Sequence, residues 1–432
     1  MNKIQLGLIG YGNVGSGVIK LLKQKRAYIR DKFGVTFEIA GVCDLAFKKK
    51  KPSGLGKALL TCDASEITAH PDIDIVIELI GGLHPAKEFV SDALKHNKHV
   101  VTANKALIAE YGKELFQHAQ AHGKNIYFET AVQAGVPIIK TLTEGLAGNQ
   151  FKAIHGIING SCNYILSEMS CSNLSFDDAV ALAQKKGFAE TDPTLDINGM
   201  DSAYKLAILT YLAFGKFLKP KEIFTEGITH IAHQDIQFAE EMGLTIKLLA
   251  IAKKDSNMIE ARVHPTLIPE NHPLASINGV LNAVLMEADP LGDVLLSGEG
   301  AGQFAAASGV VSDLINLVTR AHSDADRFIG NYYNEAAGLR LKGMDEISSK
   351  YYLRFMAVDQ PGILSKISGV LGKNGISINS VSQKEANESG SVVPLIILTN
   401  TAPEKKLRKA LEQIKKLSII KQRPVAIRIE NL

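Results

Sequence analysis

An aspartate and a lysine four residues apart, inside a segment crowded with acids, are the chemical starting point. The segment is "KKGFAETDPTLDINGMDSAYKLAIL", residues 185–209, and it holds Glu190, Asp192, Asp196, Asp201 and Lys205. A helix puts Asp201 and Lys205 on one face. Ile208 and Leu212 continue that face, so the pair leads into an apolar stripe. Several carboxylates around an ammonium suit a cationic substrate, such as the α-amino group of an amino acid. A lysine whose charge is partly desolvated gives or takes a proton near neutral pH. The bland alternative is a surface ion pair with a capping aspartate.

A second chemical element is "LGLIGYGNVGSGVIKLL", residues 6–22, with Gly10, Gly12 and Gly15 in G-x-G-x-x-G spacing. An apolar run precedes it, and Val14, Val18, Leu21 and Leu22 follow at helical spacing. One glycine permits a sharp turn out of the strand. A second lets a pyrophosphate approach the backbone, and a third lets the helix pack close. The helix N-terminus offers unpaired N–H groups to an anion. Between a strand and a helix, this spacing points to a dinucleotide.

These groups need a scaffold. Residues 1–130 alternate strand and helix, with further strands expected at "TFEIAGVCD", "DIDIVIELIGG", "KHVVTANK" and "KNIYFETAV". Near-continuous apolar strands separated by helices imply a parallel sheet covered on both faces, with ligands beyond its carboxyl ends. Gly12, Gly81, Gly82, Thr102, Asn104 and Lys105 fall at such ends. The expected fold class is α/β: a Rossmann-like nucleotide-binding domain over 1–132, an α+β substrate and dimerisation domain over 133–321, a linker over 322–350, and a ferredoxin-like unit of βαββαβ order over 351–432. The glycine turn and helix at 298–321 are expected to return to the nucleotide domain.

Composition narrows the partners. The chain has 432 residues and a formal net charge of +3, too little to argue for nucleic acid or an acidic membrane surface. No apolar run approaches a membrane span. Cys43, Cys62, Cys162 and Cys171 show no metal-ligand cadence and read as thiols of a reducing compartment. Nothing before the first strand fits a signal peptide, and the expected location is cytoplasmic.

The chain resembles the homoserine dehydrogenases over nearly its whole length. "GLIGYGNVGSGV" resembles the family's cofactor loop, "VVTANK" its Asn-Lys element and "ETAVQAGVPII" its hinge. "GIINGSCNYIL" resembles its domain-start signature, and "GFAETDPTLDINGMDSAYK" its substrate motif. The tail "VDQPGILSKISGVLGKNGISI" looks like an ACT domain, an amino-acid-sensing module. With no aspartokinase portion, the chain resembles the monofunctional type. The readings kept beside this one are a related dehydrogenase for another small amino-acid aldehyde, and a non-catalytic sensor.

The resemblance implies NAD(P)-dependent interconversion of L-aspartate 4-semialdehyde and L-homoserine, in threonine and methionine biosynthesis. It makes Lys205 the proton donor, sets Lys105 near cofactor and reacting oxygen, and gives Glu190, Asp196 and Asp201 to the substrate. The implied cofactor contacts are Gly10, Tyr11, Gly12, Asn13, Val14, Gly15, Asp44, Thr102, Lys105, Gly187 and Gly302. A structural sodium ion is implied at the Glu129 carboxylate and the carbonyls of Val132, Ala134 and Val136. In the tail, Asp359, Pro361, Gly362 and Asn379 would hold an effector, with L-threonine implied and Pro361 beginning a helix; the alternative is a tail that only dimerises. A chain ending near Ser349 is then expected to stay active. A homodimer or homotetramer is also implied.

Two departures from the family pattern matter. Gln303, Ala305 and Ala306 stand where a glycine, a proline and a threonine are usual, and Cys43 stands where an arginine often precedes Asp44. Asp44 can accept from ribose hydroxyls, which favours NAD. Family habit, and a run of lysines from Lys48 to Lys51 that is otherwise a solvated loop, favour NADP.

Overall fold

The computed structural model describes residues 2–49, 52, 55–320, 336, 338–383 and 392–430. The chain opens β1 (Asn2–Ile9), α1 (Asn13–Gln24), α2 (Arg26–Phe33), β2 (Val35–Cys43), β3 (Leu59–Thr61), α3 (Ser65–Thr68) and β4 (Ile75–Glu78). It continues α4 (Ala86–Lys95), β5 (His99–Thr102), α5 (Lys105–Ala121), β6 (Ile126–Tyr127), α6 (Thr130–Gln133), α7 (Ile138–Lys140) and β7 (Gln150–Ile157). Then come α8 (Gly160–Cys171), α9 (Phe176–Lys185), α10 (Thr194–Ile197), α11 (Met200–Phe214), β8 (Phe224–Thr225) and α12 (His233–Glu241). A run of strands follows: β9 (Leu244–Asp255), β10 (Met258–Pro269), β11 (Leu281–Asp289) and β12 (Gly292–Glu299), then α13 (Gln303–Arg320). The tail is β13 (Arg340–Leu341), β14 (Ser348–Val358), α14 (Ile363–Lys373), β15 (Ile378–Gln383), β16 (Val392–Thr399), β17 (Ala402–Pro403), α15 (Glu404–Ile414) and β18 (Val425–Ile429).

The chain forms two compact units, 1–160 with 201–223 and 280–339, and 161–200 with 224–279 and 340–432. Residues 133–321 therefore contribute to both. The first unit holds a parallel sheet in the order β3-β2-β1-β4-β5-β6. The order reverses between β1 and β4, and that switch point opens a crevice beyond the carboxyl ends. Leu6, Leu8 and Val42 pack against Val310, Leu314 and Leu317 of α13 in one buried core. The same unit holds β12-β11-β7, paired antiparallel.

The second unit is organised by β10. One edge of β10 pairs with β9 from Met258 opposite Asp255 to Pro269 opposite Leu244. Three short parallel strands share the other edge: β13 at Met258 and Ile259, β8 at Arg262 and Val263, and β18 at Thr266 and Leu267. β18 also pairs with β14, and β14 with β16 and β16 with β15, giving the tail the sheet order β18-β14-β16-β15. α14 and α15 cover it with Ile367, Leu371, Leu407 and Ile414.

Several expectations are corrected. The strand expected over 124–132 is only Ile126–Tyr127, and Thr130–Gln133 is a helical turn. The chain bends there because the Glu129 carboxylate accepts the N–H groups of Ile139 and Lys140. The ferredoxin-like helix starts at Ile363, not Pro361, since Gly362 before it sits at φ +88°, outside helical backbone. Residues 340–350 are not linker: they hold β13 and the start of β14, whose pairing with β10 and β18 outweighs their polar composition. In the rest of that proposed linker, 322–335 and 337 lie outside the described residues, as do Lys50 and Lys51. β3 and β12 were not anticipated; each is supported by ladder pairing to a longer neighbour.

Buried charges fasten the tail to the rest of its unit. Arg354 grips Asp235 through Nε to Oδ1 at 2.7 Å and Nη2 to Oδ2 at 3.0 Å, and the Tyr352 hydroxyl donates to the same carboxylate at 2.9 Å. Arg428 takes Glu404 with two nitrogens and Glu226 with the third. Arg262 and Lys253 share Glu430. Removing the tail leaves Asp235, 0% exposed, without its guanidinium, and leaves Arg262, 1% exposed, with Glu260 at 3.5 Å as its remaining acid. An orphaned buried charge costs about 3–5 kcal/mol. We therefore predict that a chain ending at Ser349 unfolds at least about 10 °C below the full chain, at roughly 2–4 °C per kcal/mol. Scanning calorimetry of the two chains checks this, and equal midpoints would mean that the ion pairs are dispensable.

Candidate active site

The glycine loop leaves β1 at Gly10, whose φ of +101° no β-carbon would tolerate comfortably. A Cβ on Gly15 would stand 2.1 Å from the Gly10 carbonyl oxygen, so the helix can pack this close only through glycine. A Cβ on Gly12 would meet open space, and Gly12 caps α1 with no side-chain bond. The first turn of α1, at Asn13 and Val14, has no acidic residue. Uncapped N–H groups facing open space at a switch point fit a pyrophosphate. Tyr11 stacks at a tilt on Phe47, 5.9 Å between centroids, and donates its N–H to Asp44 Oδ2 at 2.7 Å. Asp44 Oδ1 accepts from Ala46. Asp44 thus ties the loop to the end of β2, and the side chains of Lys48 and Lys49 are exposed just beyond.

Gln303, one of the departures, has a local use. Its amide donates to the Asn13 carbonyl at 2.9 Å and to Ser16 Oγ at 3.1 Å, bracing the first turn of α1. Gly302 precedes it at φ +115°.

Glu78 ends β4 and is fully buried. It accepts the N–H groups of Ile80 and Gly81, at 2.8 and 3.3 Å, and the Thr102 hydroxyl at 2.6 Å. Burial pushes its carboxyl up, against these hydrogen bonds. Asn104 caps α5 by accepting from Leu107, and donates to the Gly82 carbonyl at 2.6 Å. The loop after β4 and the start of α5 are therefore one hydrogen-bonded unit, and Lys105 is the first residue of that helix.

Lys105 reaches Asp201. Its Nζ lies 2.6 Å from Asp201 Oδ1, and Lys205 Nζ lies 2.8 Å from Oδ2. Lys205 also donates to the Ile158 carbonyl at 2.7 Å, and Asn159 Nδ2 donates to Asp201 Oδ2 at 2.9 Å. The side chains of Asp201 and Lys205 are 6% and 9% exposed, that of Lys105 42%. Burial pushes the Asp201 carboxyl up, but the charges of Lys205 and Lys105 outweigh it and hold it far below the usual carboxylate range. The site is one anion between two cations, with one cation sheltered and one open to solvent. Such an arrangement can hold a polar substrate and deliver a proton.

Glu129 and Asp313 form a second polar cluster in this unit. Glu129 accepts from Ile139 and Lys140 at 2.7 and 3.0 Å, and its own N–H donates to Asp313 Oδ2. Lys140 pairs with Asp313 at 3.1 Å. Burial, with the Asp313 charge, pushes the Glu129 carboxyl up to about 7, and burial pushes Asp313 up to about 6. Two buried carboxylates against one lysine leave surplus negative charge. Gln133, fully buried between Val132 and Ala134, has no hydrogen bond to either amide atom among the described residues. Surplus charge and oxygen donors fit a hard cation.

In the other unit, Gly187 follows α9 at φ +77° and Glu190 is exposed, its carbonyl accepting from Gln184 at 3.2 Å. Asp196 lies in α10, half-buried, its carbonyl accepting from Cys162 Sγ. In the tail, Asp359 accepts from Gln383 at 3.1 Å, and Asn379 is exposed at a register shift in β15. Asn159, Glu78 and Asp313 were missed from sequence. Asn159 and Glu78 stand at strand ends, and Glu78 is the one acid within an apolar strand, so position alone offered a signal. Asp313 offered none.

The homoserine dehydrogenase family model matches residues 137–315 and the homoserine dehydrogenase NAD-binding-domain model residues 10–129. The ACT domain model matches residues 351–417. A homoserine dehydrogenase of Neisseria gonorrhoeae is 40% identical over 435 residues, covering 100% of both chains. The crystal structure of a homoserine dehydrogenase from Thiobacillus denitrificans is 41% identical with a TM-score of 0.91, covering 100% of this chain and 99% of that one. A hyperthermophilic archaeal homoserine dehydrogenase in complex with NADPH is 28% identical with a TM-score of 0.63, covering 74% of this chain and 98% of that one. The nucleotide loop, the Lys105–Asp201–Lys205 cluster and the ACT tail thus sit in a chain that belongs to the homoserine dehydrogenase family of oxidoreductases.

Proposed function

We propose that the protein interconverts L-aspartate 4-semialdehyde and L-homoserine, as a step of threonine and methionine biosynthesis in the cytoplasm. The observation that carries this reading is the Asp201 carboxylate held between the ammonium groups of Lys105 and Lys205. Lys205 donates a proton to the aldehyde oxygen in reduction and recovers it in oxidation. Its bonds to Asp201 and to the Ile158 carbonyl fix the ammonium, so little reorientation is needed at the moment of transfer. Lys105, at the start of α5, lies beside the cofactor and steadies the same oxygen. Glu190, Asp196 and Asp201 take the polar groups of the substrate, the carboxylates meeting its ammonium. A bound nicotinamide dinucleotide supplies or accepts the hydride. The contacts for it are Gly10 to Gly15, Asp44, Thr102 and Lys105, with Gly187 and Gly302 bordering the nicotinamide.

NADP is the favoured cofactor in this reading. Both Asp44 oxygens already accept backbone N–H groups, and two exposed lysines follow. Glu129, with the carbonyls of Val132, Ala134 and Val136, holds sodium, which offsets the surplus buried charge. The nucleotide domain spans 1–132 with the segment 298–321, which holds α13, the other residues of 133–321 bind substrate and dimerise, and the tail is regulatory. The turn from Asp359 through Pro361 and Gly362, with Asn379, takes L-threonine as a feedback effector. The subunits pair as a homodimer or homotetramer.

L-Homoserine should drive reduced-nicotinamide absorbance in the wild type, and Lys205→Ala should lose turnover on the order of 10²–10⁴-fold with cofactor binding little changed. Near-normal turnover in that variant would move the donor to Lys105. Replacing Lys48 and Lys49 with serine should raise KM for NADP, each by roughly 2–5-fold as for an exposed charge pair, and leave KM for NAD unchanged. Equal effects on both cofactors would reduce the lysines to a solvated loop. The Glu129 and Asp313 carboxyls are raised, so the folded chain binds more protons than the unfolded one between their ordinary values near 4 and about 7. Stability should therefore fall as pH rises through that window in sodium-free buffer. Sodium should restore it, most at the alkaline end, and the rescue should vanish in Glu129→Gln. A thermal midpoint indifferent to sodium at every pH would remove the ion from the proposal.

A further inference from the structure

A cavity of about 650 Å³ opens within the second unit, walled by the loop after β8, by α15 and by β18. Its volume suits a metabolite. It lies apart from the Asp359–Gly362 turn, none of whose residues lines it.

The charges around it are unevenly satisfied. On the wall, Arg428 is saturated by Glu404 and Glu226. Arg354 is not: Nε and Nη2 bind Asp235, while Nη1 makes no hydrogen bond among the described residues. The Arg354 side chain is 7% exposed and lines the cavity. No Arg354 atom is among the buried side-chain atoms left without a partner, so this edge of the guanidinium opens onto the cavity, where an anion can accept from it. At the rim, Arg423, Lys415 and Glu412 are exposed and have no ion pair among the described residues, whereas Arg408 is paired with Asp345, so the unpaired charge there is cationic by two to one. The unspent donors are thus cationic, one deep and two at the mouth.

The opposite wall is joined to the substrate segment. Glu226 holds Arg428 and lies 3.3 Å from His230 Nε2. The next residue, Gly227, packs with no clearance: a Cβ there would stand 2.0 Å from the Ile197 carbonyl oxygen and 2.5 Å from Asn198 Cα. Ile228 donates its N–H to that same carbonyl at 2.9 Å. Ile197 ends α10, the helix that carries Asp196. A packed backbone contact of this kind transmits a displacement rather than absorbing it.

We propose that this cavity is an effector site for a small metabolite bearing a carboxylate or phosphate group, bound by Arg354 and by Arg423 with Lys415. Its occupancy is transmitted through Glu226–Ile228 to α10 and alters substrate affinity. The binding half stands alone; the coupling half rests on the assignment of Asp196 to the substrate.

Inorganic pyrophosphate and succinate serve as probes of the two oxyanion types, titrated calorimetrically into the full-length protein at low salt with NADP saturating, so that the glycine loop is not open to pyrophosphate. At least one should bind, and the one that does identifies the group. The exposed double variant Arg423→Ala, Lys415→Ala should bind it about tenfold or more weakly, the loss of one to two charge-assisted contacts. Arg354→Lys, which keeps a cation beside Asp235 but loses the planar fork, should weaken binding also. Binding of neither probe, or equal binding by wild type and double variant, overturns the site. Saturating probe should shift KM for L-homoserine in the wild type and not in the double variant. Binding without any such shift overturns the coupling alone. A chain that binds probe yet has no activity on L-homoserine in any condition would condemn the catalytic reading and leave the site standing.

Discussion

The charged cluster of the first unit depends on one carboxylate with two lysines. Asp201 is buried, and a buried carboxylate persists as an anion only if cations stand against it. Lys105 and Lys205 do so from different elements, one opening α5 and the other a turn along α11. Each of the three charges is in place because the other two are. Asn159 and the Ile158 carbonyl take further lone pairs and protons of the cluster, so the charges are hydrogen-bonded as well as paired. Asp201 also sits in the first turn of α11, where the helix dipole favours an anion.

The nucleotide loop obeys a different constraint, that of clearance. Gly15 is required by the approach of α1 to Gly10, and a Cβ on Gly12 would meet open space. Around this, side chains hold backbone. Asp44 holds the loop to β2, Gln303 holds the first turn of α1, and Glu78 holds the turn after β4. Gln303 shows how a departure from a family pattern can be absorbed: Gly17 leaves room for it, since a Cβ there would lie 2.6 Å from its Cγ.

In the second unit β10 has the organising role. One of its edges is divided among β13, β8 and β18, segments separated by up to two hundred residues of chain. A tail that looked like an appendage is therefore a continuation of a sheet, and the arginines at the seam are buried with their acids. Burial of paired charges at such a seam ties its integrity to both sides, because losing either side strands a charge.

Much of this was legible in the residues. Local patterns carry local information: glycine spacing next to an apolar strand, an i,i+4 pair leading into an apolar stripe, and alternating strands and helices in βαββαβ order all appear where expected. The fold class, the Asp201–Lys205 pair and the place of Lys105 at a strand end were read in this way, and the resemblance added the role of Lys105. What the chain could not reveal by itself were the long-range partners. Nothing near Lys105 says that it meets Asp201, ninety-six positions on. Nothing around Asp313 announces Glu129, nor does the polar stretch 340–350 announce the edge of β10. The helix start at Ile363 and the shortness of β6 were likewise decided by backbone geometry at Gly362 and by the pull of Glu129 on two distant N–H groups. Hydrogen bonds and ion pairs between remote segments have no period in the sequence, and only folding the chain brings their two halves together.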